Sequence, residues 1–203
     1  MTGGPPTEQE QHAGVTDVVR DFAHLHDDVV HVLGAWTAPD AEQERLRTAY
    51  LAHLEDGPAT VAKAGVRDHL TASCLVITPD AGHVLLTHHR RAREWFQFGG
   101  HLESSDATLL AAATREGREE SGIADVTPDP VVVQLDHHEL SGNFGWCRSH
   151  LDVRFAAVVD REVVPVASAE SLDVAWWPTE GLPAGSRAEI STLVAATRRT
   201  LGL

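Results

Sequence analysis

Between Asp106 and Gly122, three glutamates, Glu116, Glu119 and Glu120, fall at i, i+3 and i+4 in a segment of helical composition. Successive helical residues turn by about 100°, so the three carboxylates share one face. Like charges packed that closely repel one another, and an ordinary surface helix would interleave lysines or arginines there. Clustered carboxylate oxygens are what a hard divalent cation requires, and the ion would cancel the repulsion. The other faces agree. Leu110, Ala113 and Gly117 form a narrow stripe of small and apolar side chains that can lie close against a sheet. Gly117 costs roughly 1 kcal/mol relative to Ala in a helix interior, so close backbone approach explains it better than propensity. Ser105 or Asp106 is placed to cap the helix start, and Gly122 to supply the left-handed residue at its end.

The flanking segments supply the sheet. Residues 71–78 are strand-like and end at the turn cluster Pro79-Asp80-Ala81-Gly82; residues 83–88 follow, so the pair reads as a β-hairpin. A short aromatic strand, Trp95-Phe96-Gln97-Phe98, runs into Gly99-Gly100. Further strands are expected at 131–135, 150–159 and 174–177, and a last helix at 187–201. Upstream, Val15, Val18, Val19, Phe22, Leu25, Val29 and Leu33 recur at helical spacing. After the Trp36-Thr37-Ala38-Pro39 break, Asp40 can cap a second helix carrying Leu46, Tyr50, Leu51 and Leu54. The chain of 203 residues thus divides into a disordered tail (1–14), an N-terminal helical extension (15–67) and a main domain (68–203). The apolar stripes of the extension imply a buried face, either on the main domain or in a homodimer. One central helix among several strands, with another helix at the end, predicts an α+β or α/β sandwich with a mixed sheet.

Charge and cysteine count narrow the partners. The net charge of −14 repels nucleic-acid backbones, yet a bound metal and local cations still admit a small phosphorylated ligand. No apolar run approaches the length of a bilayer span, and the first residues lack the basic flank and apolar stretch of a secretory signal. Two cysteines, Cys74 and Cys147, are too few for a disulfide framework, so a reducing cytoplasm is the expected compartment.

The stretch Gly99-Gly100-His101-Leu102-Glu103, followed by Asp106 and by Arg115-Glu116-Gly117-Arg118-Glu119-Glu120-Ser121-Gly122-Ile123, resembles the Nudix box over residues 100–123. Gly117 replaces the usual aliphatic residue. Asp106 sits where the box has its first glutamate, with one extra residue before Arg115. Trp95-Phe96-Gln97-Phe98 resembles the strand leading into the box, and Glu170-Ser171-Leu172-Asp173-Val174-Ala175-Trp176-Trp177-Pro178 a late strand of many members. The resemblance implies a Nudix-type α/β/α sandwich and a loop-helix-loop box. It implies that Glu116, Glu119 and Glu120 bind Mg²⁺ or Mn²⁺, with the carbonyl of Gly99 as a further ligand. Arg115 would orient an acidic neighbour, Glu103 or Asp106. Together these make Glu119, Glu120, Glu116 and Arg115 the catalytic set of an enzyme that hydrolyses a diphosphate linkage in a nucleoside diphosphate derivative or related organic diphosphate. The general base varies in the family, and Glu139 and Glu170 are the distal candidates.

Other signals are weaker. His88-His89-Arg90-Arg91-Ala92-Arg93 is the densest cationic patch, and Arg90, Arg91 and Arg93 suit substrate phosphates. His137-His138-Glu139 and Cys147-x-x-His150 contain ligand types that suit zinc, although their spacing follows no standard site. Phe144 and Trp146 can stack on a ring, or pack within their own loop. A Nudix-fold sensor that binds a phosphorylated metabolite without cleaving it is the alternative, and the three box glutamates favour the enzyme. A diphosphate isomerase fits poorly, since neither cysteine lies in the context such enzymes use.

Overall fold

The computed structural model describes residues 8–140 and 146–203, with side chains from residue 16 onward. Its elements in order are α1 (Glu8–Ala35), α2 (Ala41–Leu54), a 3₁₀ turn (Pro58–Val61), β1 (Asp68–Ile77), β2 (His83–His89), β3 (Trp95–Phe96), β4 (Phe98–His101), α3 (Leu109–Ser121), β5 (Gln134–Glu139), β6 (Ser149–Val158), β7 (Ser171–Pro178) and α4 (Glu189–Leu201).

Strand β1 is buried on both faces, and the pleat sorts its residues by partner. Leu70 and Ala72 pack with Leu25, Val29 and Leu33 of α1, Tyr50 of α2 and Leu109 and Ala113 of α3. Cys74 and Val76, on the same face, join Ile123 and Val126. On the opposite face Leu75 and Ile77 pack under Ile190, Leu193 and Val194 of α4. Helices therefore cover both sides of a mixed seven-stranded sheet, the α/β/α sandwich expected. Its order is β3-β2-β1-β6-β5, with β7 also on β2. β6 runs parallel to β1 along its full length, whereas β4 and β2 share the other edge of β1 in antiparallel pairing.

The N-terminal helices complete this sandwich; of the two burial partners expected for them, the main domain receives them. Their stripe is buried from Leu25 onward, while Val19 stays 39% exposed. Asp40 caps α2 by accepting from the Gln43 N–H at 2.9 Å. Gln43 both donates to and accepts from the Leu135 backbone, at 3.1 and 2.7 Å, and Tyr50 donates to the Asp136 carbonyl at 2.7 Å. Side chains of α2 thus cover the edge that β5 would otherwise present to another strand. The expected tail lies partly outside the described residues, and its remainder differs from expectation because α1 already begins at Glu8.

Two strand boundaries moved. The aromatic strand divides at Gln97, where the chain crosses from pairing with β2 to pairing with β1. The strand expected at 131–135 forms instead at Gln134–Glu139, with Val131 46% exposed before it. Among the described residues no helix is long and apolar enough to cross a membrane.

Candidate active site

The face of β1 that carries Leu75 and Ile77 beneath α4 turns polar toward its start, at His69, Thr71 and Ser73. Residues in register share a face, so His150, Asp152 and Arg154 of β6, and Gln134, Asp136 and His138 of β5, extend the polar area. Arg154 is 1% exposed and Asp152 3% exposed. Their charges are paired: Asp152 accepts from Arg154 Nε at 3.0 Å, Thr71 Oγ1 at 3.0 Å and Ser73 Oγ at 2.8 Å. Arg154 also meets Asp136 at 2.9 Å. This network floors a cleft of about 870 Å³ whose lining includes Thr71, Ser73, Asp152, Gly99, Gly100 and Glu120.

Glu120 arrives from α3, and the local sequence fixes how that helix is set. Thr108 caps it, accepting from the Ala111 N–H at 3.1 Å, and Asp28 of α1 accepts from the Leu109 N–H at 2.7 Å. The helix therefore begins at Leu109, three residues after the expected Asp106, which has a different task. Asp106 is buried and receives Arg115 through two bonds, Nε at 2.9 Å and Nη2 at 3.0 Å. Glu103 lies 3.9 Å from the same guanidinium and is mostly exposed, so Asp106 is the principal partner. Gly122 ends the helix in the left-handed region at φ 67°, as expected. A Cβ on Gly117 would lie 3.0 Å from Val126 Cγ1 and 3.5 Å from Cys74 Cβ, the close approach that this residue type implied.

The three glutamates face unequal surroundings. Glu119 is 61% exposed and reaches Arg115 at 3.3 Å. Glu116 is largely buried and accepts from Arg115 Nη1 at 2.9 Å. Glu120 is 9% exposed and accepts from the Gly99 N–H at 2.9 Å. Burial raises the pKa of Glu116, and pushes that of Glu120 up to about 8. Negative charge on Glu170 raises both as well, which places this acid within electrostatic reach of them. Glu139, at the end of β5, lines the cleft itself. The two glycines before the box bring strand and helix together. A Cβ on Gly100 would lie 2.5 Å from Glu116 Oε1, and one on Gly99 2.4 Å from Ser73 Cβ. The desolvated carboxylates of Glu116 and Glu120, the latter lining the cleft, offer the oxygen donors that suit a hard divalent cation.

The cationic patch separates into different roles. Arg91 lines the cleft, together with Arg187, which the sequence reading had not singled out. Arg90 instead donates to the Ala169 and Ser171 carbonyls at 3.0 and 2.9 Å, holding the entry to β7. Arg93 occupies a left-handed turn position at φ 59° and does not line the cleft. Trp146 is 61% exposed, lies under the Arg67 guanidinium at 5.4 Å and is not part of the lining; Phe144 is outside the described residues. Asp152, Gln97 and Arg187 escaped the sequence reading. The one hint was the alternation Leu151-Asp152-Val153-Arg154-Phe155, which put charges on a strand face that proved to be covered.

Residues 67–196 match the NUDIX domain family, so all but the last residue of the extension at 15–67 lies outside the match. No curated protein matches the chain. Among solved structures it is similar to the MutT protein from Methanosarcina mazei Go1, at 18% identity and a TM-score of 0.53 over 68% of this chain and 98% of that one. A NUDIX family hydrolase from Clostridium perfringens gives 21% identity and a TM-score of 0.52, covering 66% of this chain and 96% of that one. A C. elegans Ap4A hydrolase gives 16% and 0.53, covering 66% and 97%. Likeness at these identities is one of fold. The domain match spans well over half the sequence and includes the helix that carries the glutamates, and on that ground the chain belongs to the NUDIX domain family.

Proposed function

We propose that the protein hydrolyses a diphosphate linkage in a nucleoside diphosphate derivative or related organic diphosphate, using Mg²⁺ or Mn²⁺. The observation that supports this reading is Glu120, desolvated in the lining of the cleft and within electrostatic reach of Glu116 and Glu119 on the same helix. These three carboxylates would hold the cation, with the Gly99 carbonyl as a further ligand. Bound there, the ion would neutralise the diphosphate, lower the pKa of an attacking water and stabilise the departing phosphate oxygen. Arg115 is a positioning residue: clamped by Asp106, it fixes Glu116 and Glu119 relative to one another. Arg91 and Arg187 supply the cations that a phosphate chain in the cleft would meet. Glu139 and Glu170 are the candidate acids that would accept a proton from water. Two free cysteines suit a reducing cytoplasm, and the net charge of −14 argues against a nucleic-acid substrate. The fold-level likeness to an Ap4A hydrolase supports a substrate with a phosphate chain.

A panel of diphosphate compounds, assayed for products with each metal, tests the reading. We expect at least one to be cleaved, and Glu119→Gln and Glu120→Gln each to lower kcat by about a hundredfold, the scale of one lost transition-state electrostatic group. A wild type that binds a panel member tightly and cleaves none would establish a sensor instead.

A further inference from the structure

A second constellation lies where β1, β4 and β6 meet, apart from the glutamates. His69 of β1, His101 of β4, His150 of β6 and Cys147, two residues before β6, each offer one ligand atom, all within 4.8 Å of one another. The backbone register dictates this convergence. His69 and His150 are partners across the parallel pair, and His101 stands opposite Thr71 on the other edge of β1. The pleat therefore turns all three rings to one face. Their centroids form a nearly equilateral triangle with sides of 5.1, 5.2 and 5.0 Å.

This arrangement is expensive unless something fills it. The Nε2 atoms of His69 and His150 are buried without a hydrogen-bond partner. His69 Nδ1 lies 2.8 Å from the Val66 carbonyl, so it carries the proton and leaves Nε2 as a bare lone pair. The Nε2 atom of His101 meets Cys147 Sγ at 3.7 Å. A second ring nitrogen fixed by a backbone carbonyl is the usual support of a metal-ligating histidine.

We propose that His69, His101, Cys147 and His150 form a tetrahedral zinc site that pins the start of β6 to β1 and β4 beside the cleft. Metal–ligand distances of about 2.0–2.3 Å give tetrahedron edges of roughly 3.3–3.8 Å. The His101–Cys147 separation already falls in that range, and the other ligand atoms need to close by only about 1 Å. The donor set is specific. Three imidazoles and a thiolate select zinc, while the all-oxygen glutamate site suits Mg²⁺ or Mn²⁺. Four protein ligands close the shell, so the site is structural. It adjoins the acids through the backbone: Arg115 donates to the His101 carbonyl at 2.9 Å, one residue beyond Gly100. His137 and His138, candidates from the sequence, stand outside the cluster, engaged with Ser149 at 3.0 Å and Asp136 at 2.8 Å.

The test uses the full chain purified without chelator from zinc-supplemented culture and dialysed against Mg²⁺, with metal content measured by mass spectrometry. Zinc is expected near one ion per chain, falling to about a tenth in Cys147→Ser. Independently, Co²⁺ added to zinc-free wild type is expected to give tetrahedral visible bands and a thiolate-to-cobalt charge-transfer band. Only Cys147 can supply that thiolate, since Cys74 is fully buried in the core with its thiol pushed up to about 12. Zinc well below stoichiometric in the wild type, or a cobalt spectrum without the thiolate band, overturns the proposal. So does full zinc content in Cys147→Ser, which would remove the thiolate from the ligand set, and full content when His150→Ala is added would put the ion outside the cluster. Should Cys147→Ser fail to fold, the wild-type cobalt spectrum still decides.

Discussion

Adding one methyl group at Gly100 should cripple the proposed hydrolysis without unfolding the protein. An alanine Cβ there would sit 2.5 Å from Glu116 Oε1, 2.8 Å from Cδ and 3.0 Å from Oε2. All three atoms belong to the end of a flexible side chain, so the carboxylate can retreat by about 0.5–1 Å and lose its set position against Arg115. A misplacement of about 1 Å at a reacting centre costs on the order of a hundredfold in rate. The backbone at Gly100 does not need the left-handed region, so the folded state tolerates Ala, and the stiffer unfolded chain contributes roughly 0.4–1 kcal/mol of stability. Gly99→Ala is the control. Its Cβ would lie 2.4 Å from Ser73 Cβ and 2.8 Å from Ser73 Cα, and a backbone in a central strand cannot retreat. That variant should lose about 1–3 kcal/mol as an overpacked site. Steady-state kinetics on the best panel substrate, paired with thermal melts, separate the two. Gly100→Ala with wild-type kcat would refute the claim that the position of Glu116 matters. Equal melting losses in both variants would refute the distinction between side-chain and backbone contact.

Three further outcomes are expected. In the metal-free protein Glu120 titrates near 8 against an ordinary 4.5, so its stabilising contribution is complete below about pH 4.5 and is lost as pH rises through about 8. The metal-free melting temperature should fall across that window, and Glu120→Gln should flatten the decline; an unchanged slope would assign the effect elsewhere. Arg91→Ala should raise KM with little effect on melting, whereas Arg90→Ala should lower melting and spare KM, because Arg90 holds Ala169 and Ser171; identical behaviour would contradict the division of the patch. Asp28→Ala should destabilise the protein by about 1 kcal/mol in denaturant titrations through loss of the Leu109 N–H acceptor, although Asp28 lies outside the family match; no change would mean that Thr108 caps the helix unaided.

What could be read in the sequence was whatever repeats locally. The face of α3 followed from the spacing of its glutamates, and Gly117 and Gly122 announced their contacts because few other residues tolerate them. Asp40 was readable as a cap for the same reason. What pairs across strands was not legible. His69 and His150 lie 81 positions apart, and only the register of β1 against β6 unites them with His101. Strand β5 was misplaced because the apolar run Val131-Val132-Val133 outweighed the polar Asp136-His137-His138, yet the polar segment is the one that pairs with β6. Arg90, Arg91 and Arg93 looked alike as a charge run; only tertiary contacts distinguish the brace from the cleft residue.

The parallel pairing of β1 with β6 also determines when the cleft can come into being. Asp68 and Ser149 meet from 81 positions apart, whereas the β1–β2 hairpin and α3 require only short closures. Loop-closure entropy must be met before parallel contacts return anything, so the β1–β6 seam is a late event in folding. During synthesis, a ribosome that has just released α3 has made all three box glutamates but only half of the floor beneath them. The chain spends that interval with its glutamate-bearing helix made and its cleft still unmade.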